Sequence, residues 1–217
     1  MSPESKFHTA VLASTMAIMA LVMKFLLERP NSHGLEQTLS TVISIFMGVG
    51  LYESIVRTVE FILDRSPAIK RIVLGRAYME GKWYGYYEFD GNPFFFIEVI
   101  RQEWSSLSIN GRTYDVNGKP HGQWSSVSST IDGSAGLLHS RCFADLDNGH
   151  YDSVLQLQVQ GNPPNHLSGY TLDTVGTMKP GKAWMEERKA PDKTSDERAL
   201  ALARDLYKAD RISIANS

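Results

Sequence analysis

Two hydrophobic patterns divide the chain. From Thr9 to Leu27 and from Leu39 to Leu63 the positions are apolar with few interruptions, separated by the polar turn Glu28-Arg29-Pro30-Asn31-Ser32-His33-Gly34. From Gly81 to Lys189 the texture changes to short runs of β-branched and aromatic residues, broken by Gly, Asn, Asp and Pro. The first pattern predicts two helices, each near the roughly 20 apolar residues that cross a bilayer core. The second predicts strands and turns.

Eight strands are expected, over 82–89, 94–104, 106–114, 123–131, 136–146, 151–160, 167–174 and 177–188. The turns fall at Asp90-Gly91-Asn92-Pro93, Asn117-Gly118-Lys119-Pro120, Asp132-Gly133, Asp147-Asn148-Gly149 and Gly161-Asn162-Pro163-Pro164-Asn165. Successive hairpins favour an antiparallel meander, and about eight strands suffice for such a sheet to close into a small β-barrel that holds one ligand. In 154–159 the face of Leu155, Leu157 and Val159 is apolar and Gln156 and Gln158 point away. In 94–104 both phases carry apolar residues, so inside and outside stay open there. The fold expected is a membrane α-helical hairpin over 1–64, a basic connector over 65–79, an all-β barrel over 80–190 and a short helical tail over 191–217. The tail opens with Thr194-Ser195-Asp196-Glu197, a capping-box pattern, ahead of Leu202 and Leu206.

Two other readings fit the N-terminal segments less well. A signal peptide needs a basic start and a small-residue cleavage site, whereas Lys6 is the one early cation and Lys24-Phe25-Leu26-Leu27 stands where cleavage would fall. A buried soluble hairpin would account for Lys24, Glu53, Arg57 and Glu60, since charges are rare in lipid. The sequence therefore predicts a membrane hairpin. Its cationic flank, Arg65, Lys70, Arg71 and Arg76, places the C-terminal part in the cytoplasm, because the turn offers only Arg29 against Glu28 and Glu36. Small residues, Ala10, Ala13, Ser14 and Ala17, give the first helix a close-packing face, and Glu53, Arg57 and Glu60 give the second a polar seam for self-assembly.

Charge and composition narrow the chemistry. A net charge of −2 argues against a generally basic nucleic-acid coat, so neither DNA nor RNA is expected as a partner. One cysteine, Cys142, excludes an internal disulfide and a multi-cysteine zinc site. Histidines 121, 139, 150 and 166 lack ligand spacing, and no phosphate loop or nucleophile elbow is present. No metal site, no cofactor and no catalytic group is expected, hence no enzyme. What the β-region does offer is aromatics interleaved with arginines and the hydroxyl-rich run Ser125-Ser126-Val127-Ser128-Ser129-Thr130. Aromatics stack on bases and arginines pair with phosphates.

The order of these parts, with the opening Gly81-Lys82-Trp83-Tyr84-Gly85-Tyr86-Tyr87, the hydroxyl-rich strand at 125–130, and the closing Leu167-Ser168-Gly169-Tyr170 and Gly176-Thr177-Met178, resembles the two-transmembrane, β-strand-rich effectors of CBASS, the bacterial cyclic-oligonucleotide antiphage signalling systems. The resemblance spans Phe7 to about Arg188, and the polar stretch Glu53 to Glu60 departs from it. It implies a cytoplasmic barrel that senses a cyclic dinucleotide made by a partner nucleotidyltransferase. Oligomerisation of the membrane segments, disruption of the inner membrane and abortive infection would follow. Tyr87, Arg101, Trp104, Arg112, Ser126, Ser128, Arg141, Tyr170 and Thr174 are the expected ligand contacts. The alternative is a membrane-tethered, lipocalin-like barrel that binds an apolar small molecule or docks a protein partner. The lining separates the two, since phosphates require inward cations and hydroxyls and an apolar ligand requires apolar walls.

Overall fold

The structure is a computed structural model that describes residues 9, 11–18, 20–21, 24, 50, 52–62, 65–103, 106–147, 149–176 and 182–215. It divides into two compact units, Met1–Val73 and Leu74–Ser217. In the first unit, 11–18 and 52–62 are helical. Among the described residues no helix is long and apolar enough to cross a membrane. Both expected spans run in large part through residues outside the described set, including the turn from Glu28 to Gly34. Glu53 and Arg57 form the expected (i, i+4) pair at 3.6 Å, both side chains well exposed, and Ala13 and Ala17 are exposed as well. In the connector, α1 (Pro67–Leu74) begins on Ser66, whose Oγ accepts from Ile69 N at 3.4 Å, with Pro67 in the first turn.

The second unit contains a closed barrel of eight antiparallel strands in sequence order, as the turn pattern predicts. The strands are β1 (Gly81–Phe89), β2 (Asn92–Gln102), β3 (Leu107–Tyr114), β4 (Pro120–Asp132), β5 (Leu137–Leu146), β6 (Gly149–Gly161), β7 (Pro164–Gly176) and β8 (Lys182–Lys189). β8 pairs with β1 from Trp83↔Lys189 to Glu88↔Trp184, so no sheet edge is left. Turn carboxylates hold the tips. Asp115 Oδ1 accepts from Asn117 N at 2.9 Å and Lys119 N at 2.8 Å, and Asp132 Oδ1 accepts from Ser134 N at 2.8 Å and Ala135 N at 3.0 Å. These bonds hold both carboxyls below the usual range, the Lys119 backbone bond leading for Asp115 and the Ser134 hydroxyl for Asp132.

Period-2 alternation fills the interior. Leu155, Leu157 and Val159 point in as expected, with Trp83, Phe96, Ile100, Ile109, Leu138, Leu167 and Met185. Register also resolves β2. Phe96, Glu98, Ile100 and Gln102 face inward, whereas Phe95 lies outside, in a cluster with Tyr86 and the C-terminal helix. Gly111 is a site of close approach inside the barrel, since a Cβ there would lie 2.2 Å from the Trp124 ring. One barrel end is plugged by the incoming chain: Gln102 Oε1 accepts from Met79 N, its Nε2 donates to Ala77 O, both at 2.8 Å, and the Trp83 indole donates to Met79 O at 2.9 Å.

The tail is α2 (Asp196–Ala215). Its cap falls one residue later than the capping-box pattern suggests, because Arg198 N donates to Ser195 Oγ at 3.2 Å while the Thr194 hydroxyl donates to Pro191 O at 2.6 Å. Ala199 and Ala203, both fully buried, face the barrel, with Tyr207 edge-on to Tyr86 at 5.0 Å and to Phe95 at 5.9 Å. Polar pins surround this contact: Tyr86 Oη to Asp210 at 3.0 Å, Lys82 Nζ to Asp196 at 2.7 Å, and Glu88 to both Tyr207 and Arg211.

Candidate functional site

At the barrel end opposite the plug, the strand ends enclose a cavity of about 120 Å³. Apart from His121, which lies at the register shift between β3 and β4, the residues that line it follow from the inward phase of each strand. β1 and β2 supply Tyr87, Phe89 and Phe94, β4 supplies His121 and Trp124, and β5 supplies Cys142, Ala144 and Leu146. Tyr151, Ser153 and Leu155 come from β6, Thr171 and Asp173 from β7, and Ala183 and Met185 from β8. Tyr87 stacks on Phe94 at 5.3 Å and Phe94 on His121 at 4.8 Å, a column of near-parallel rings on one wall. The Tyr87 phenol and the Thr113 hydroxyl hydrogen-bond at 3.2 Å. Burial, countered by that hydrogen bond and assisted by the Asp173 charge, pushes the phenol up to about 12. Ser153 Oγ donates to Asp173 Oδ1 at 2.6 Å across β6 and β7. Burial likewise raises the Cys142 thiol to about 11, which leaves it protonated and a poor nucleophile at neutral pH.

Next along the inward phase from these linings are two carboxyls in the core, Glu98 on β2 and Glu187 on β8, with 1% and 0% of their surface exposed. No hydrogen bond of ordinary geometry reaches any of their four oxygens or the Trp124 indole N–H among the described residues, although Glu187 and the indole lie close enough to Glu98 to favour its charged form in part. Burial drives both groups up, Glu98 to about 7 and Glu187 well above the carboxyl range, the second also by the neighbouring Glu98 charge. The pair therefore holds a proton at neutral pH.

Of the ligand contacts expected from sequence, Tyr87 lines the cavity. The arginines do not. Arg101, Arg112 and Arg141 stand exposed on the outer wall, because their strands put Ile100, Gly111 and Cys142 inside. Arg112 borders a separate outer groove with Tyr114, Asp145 and Asp147. Arg141 pairs with Asp152 at 2.8 Å, and Thr174 Oγ1 donates to Asp152 O at 3.0 Å, so these two meet outside the barrel. A bulge between Ser126 and Ser128 shifts the phase of β4: Ser126 Oγ accepts from Ile109 N at 2.8 Å and Ser128 is exposed. Tyr170 faces out against Trp184 at 4.7 Å, under Lys182 Nζ at 3.8 Å from its ring centre. Trp104 lies outside the described residues. Inward cations and hydroxyls were the expectation for phosphate, and among the described residues no lysine or arginine lines this cavity. Sequence reasoning passed over Phe94, His121, Ser153 and Asp173. Ser153 was within reach, being two residues before the inward Leu155.

Among the described residues no group of three or more His, Cys, Asp or Glu is placed to hold a metal ion. The class of structure is a closed eight-stranded antiparallel meander barrel with a ring-lined cavity at one end. No protein-family model and no curated protein matches the chain.

Proposed function

We propose that this chain is a membrane-bound antiphage effector, a sensor and not an enzyme, whose cytoplasmic barrel binds a cyclic dinucleotide from a partner nucleotidyltransferase. Binding then drives the N-terminal helices to oligomerise and disrupt the inner membrane. The observation that carries the reading is a closed eight-stranded barrel with a ring-stacked end cavity, following two apolar segments and a basic connector in the order of the resemblance. A space of about 120 Å³ is slightly smaller than the ~150 Å³ cavity that takes one benzene, so it accommodates one ring edge of a base and leaves the rest of the ligand, phosphates included, at the mouth. Base stacking on aromatic rings contributes ~1 to 3 kcal/mol per base and suits this wall.

The test is a titration of the full chain, reconstituted in lipid nanodiscs, with a panel of cyclic dinucleotides. Binding is expected, with Phe94→Ala weakening it about tenfold or more and the outer-wall changes Arg112→Ala and Arg141→Ala leaving it near the parent. No binding across the panel refutes the reading. A second reading, a tethered barrel for an apolar ring compound, is favoured by the walls of Phe89, Leu146, Leu155 and Met185. Under it, simple aromatic compounds stabilise the protein and cyclic dinucleotides do not.

A further inference from the structure

The polar groups of the end cavity discriminate among ring ligands. Asp173 is the only carboxylate among the described lining residues; apart from His121, whose Nδ1 lies 3.6 Å from Asp147, and the Cys142 thiol, the rest of the wall is rings, aliphatic groups and hydroxyls. One of its oxygens is tied by the Ser153 hydroxyl at 2.6 Å. A carboxylate has about four lone-pair sites on two oxygens, so the tie orients the group and leaves most of its accepting capacity free. Its charge is close enough to Tyr87, the first member of the ring column, to act on the phenol. An anionic group brought here would face that carboxylate in a space with no lysine or arginine among the described lining residues. What the site complements is a flat ring that donates.

We infer that the cavity selects a planar ligand group with two adjacent N–H donors, of the kind on the guanine edge, and that Asp173 is the residue that reads it. Two parallel N–H bonds to one carboxylate are the geometry by which such a pair is recognised, and hydrogen bonds with one charged partner are about twice as strong as neutral ones. A ring of adenine type offers an acceptor nitrogen beside its amino group, and that nitrogen would point at the Asp173 charge. The inference rests on the reading of this cavity as the ligand site, and is indifferent to what the rest of the ligand is.

The same donor pair occurs on a neutral base and on an amidinium, so the experiment carries both. The full chain in nanodiscs is titrated with guanosine, inosine, adenosine and benzamidine, for the parent, Asp173→Asn, and Ala144→Trp, which fills the cavity; circular dichroism confirms that each variant is folded. Guanosine should bind about tenfold or more tighter than inosine, which lacks the second donor, and Asp173→Asn should erase that difference. An Asp173-dependent response to benzamidine with none to guanosine keeps the paired-donor chemistry and assigns it to an amidinium. Guanosine that binds Asp173→Asn as it binds the parent, yet fails on Ala144→Trp, overturns the inference and leaves the cavity as a ligand site. Equal binding to Ala144→Trp and the parent overturns both, whereas the absence of any response to guanosine and benzamidine together overturns the inference alone.

Discussion

Replacing Glu98 by Gln should make the barrel more stable at pH 8 and no more stable at pH 4.5. Glu98 is buried beside Glu187 with no hydrogen bond of ordinary geometry, and burial moves its carboxyl from 4.5 to about 7. A rise of that size corresponds to about 3 kcal/mol at ~1.36 kcal/mol for each pH unit. The sign follows from which state binds the proton more tightly. Below pH 4.5 the carboxyl is neutral folded and unfolded and contributes no difference. As pH rises towards 7 the unfolded chain releases the proton and the folded one retains it, so the Glu98 contribution falls across that window, while Glu187, held higher still by burial and by the Glu98 charge, carries the fall in the parent to higher pH. Glutamine has no proton to lose, and its shape fits the same space. Urea unfolding of the full chain in nanodiscs, followed by tryptophan fluorescence between pH 4.5 and 8.5, reads the difference between variant and parent directly. That difference should grow by about 3 kcal/mol from the acid to the alkaline end. A difference constant across the range would refute the claim that the fold keeps this carboxyl neutral by burial. Asp115 and Asp132, held low by turn hydrogen bonds, move parent and variant alike and cancel.

Gly111→Ala should destabilise the barrel by roughly 1 to 3 kcal/mol, the usual cost of overpacking, because the new Cβ would lie 2.2 Å from the Trp124 ring; denaturant midpoints of parent and variant give the number. In the N-terminal unit, Glu53→Leu with Arg57→Leu should leave ligand affinity unchanged and weaken ligand-driven oligomerisation and toxicity in cells, whereas removing residues 1–63 should abolish toxicity. Full toxicity from the double variant would reduce that ion pair to an exposed surface contact of small consequence.

Local pattern sufficed for the barrel and for little of its site. β-branched and aromatic runs punctuated by Asp-Gly, Asn-Gly and Pro turns specify hairpins through short-range sterics and hydrogen bonding, which is why Asp115 and Asp132 hold turns where turns were expected. Strict alternation likewise determined that Leu155, Leu157 and Val159 are inside. Three facts belonged to tertiary structure alone. The phase of β2 depended on pairing across β1 and β3, since Phe95 and Phe96 are equally apolar and α2 gives the outward one a cover. A single bulge in β4 reversed the sense of the serine run, because one extra residue turns every later side chain to the other face. The arginines, the most conspicuous candidates for phosphate, went to the outer wall, where a charge keeps its hydration, while the interior accepted Asp173 with a hydroxyl donor and a glutamate pair that can hold a proton. Sequence determines where strands begin and turn; which side of a closed wall a residue occupies is decided by the register of its neighbours, and in this barrel that decided the chemistry of the cavity.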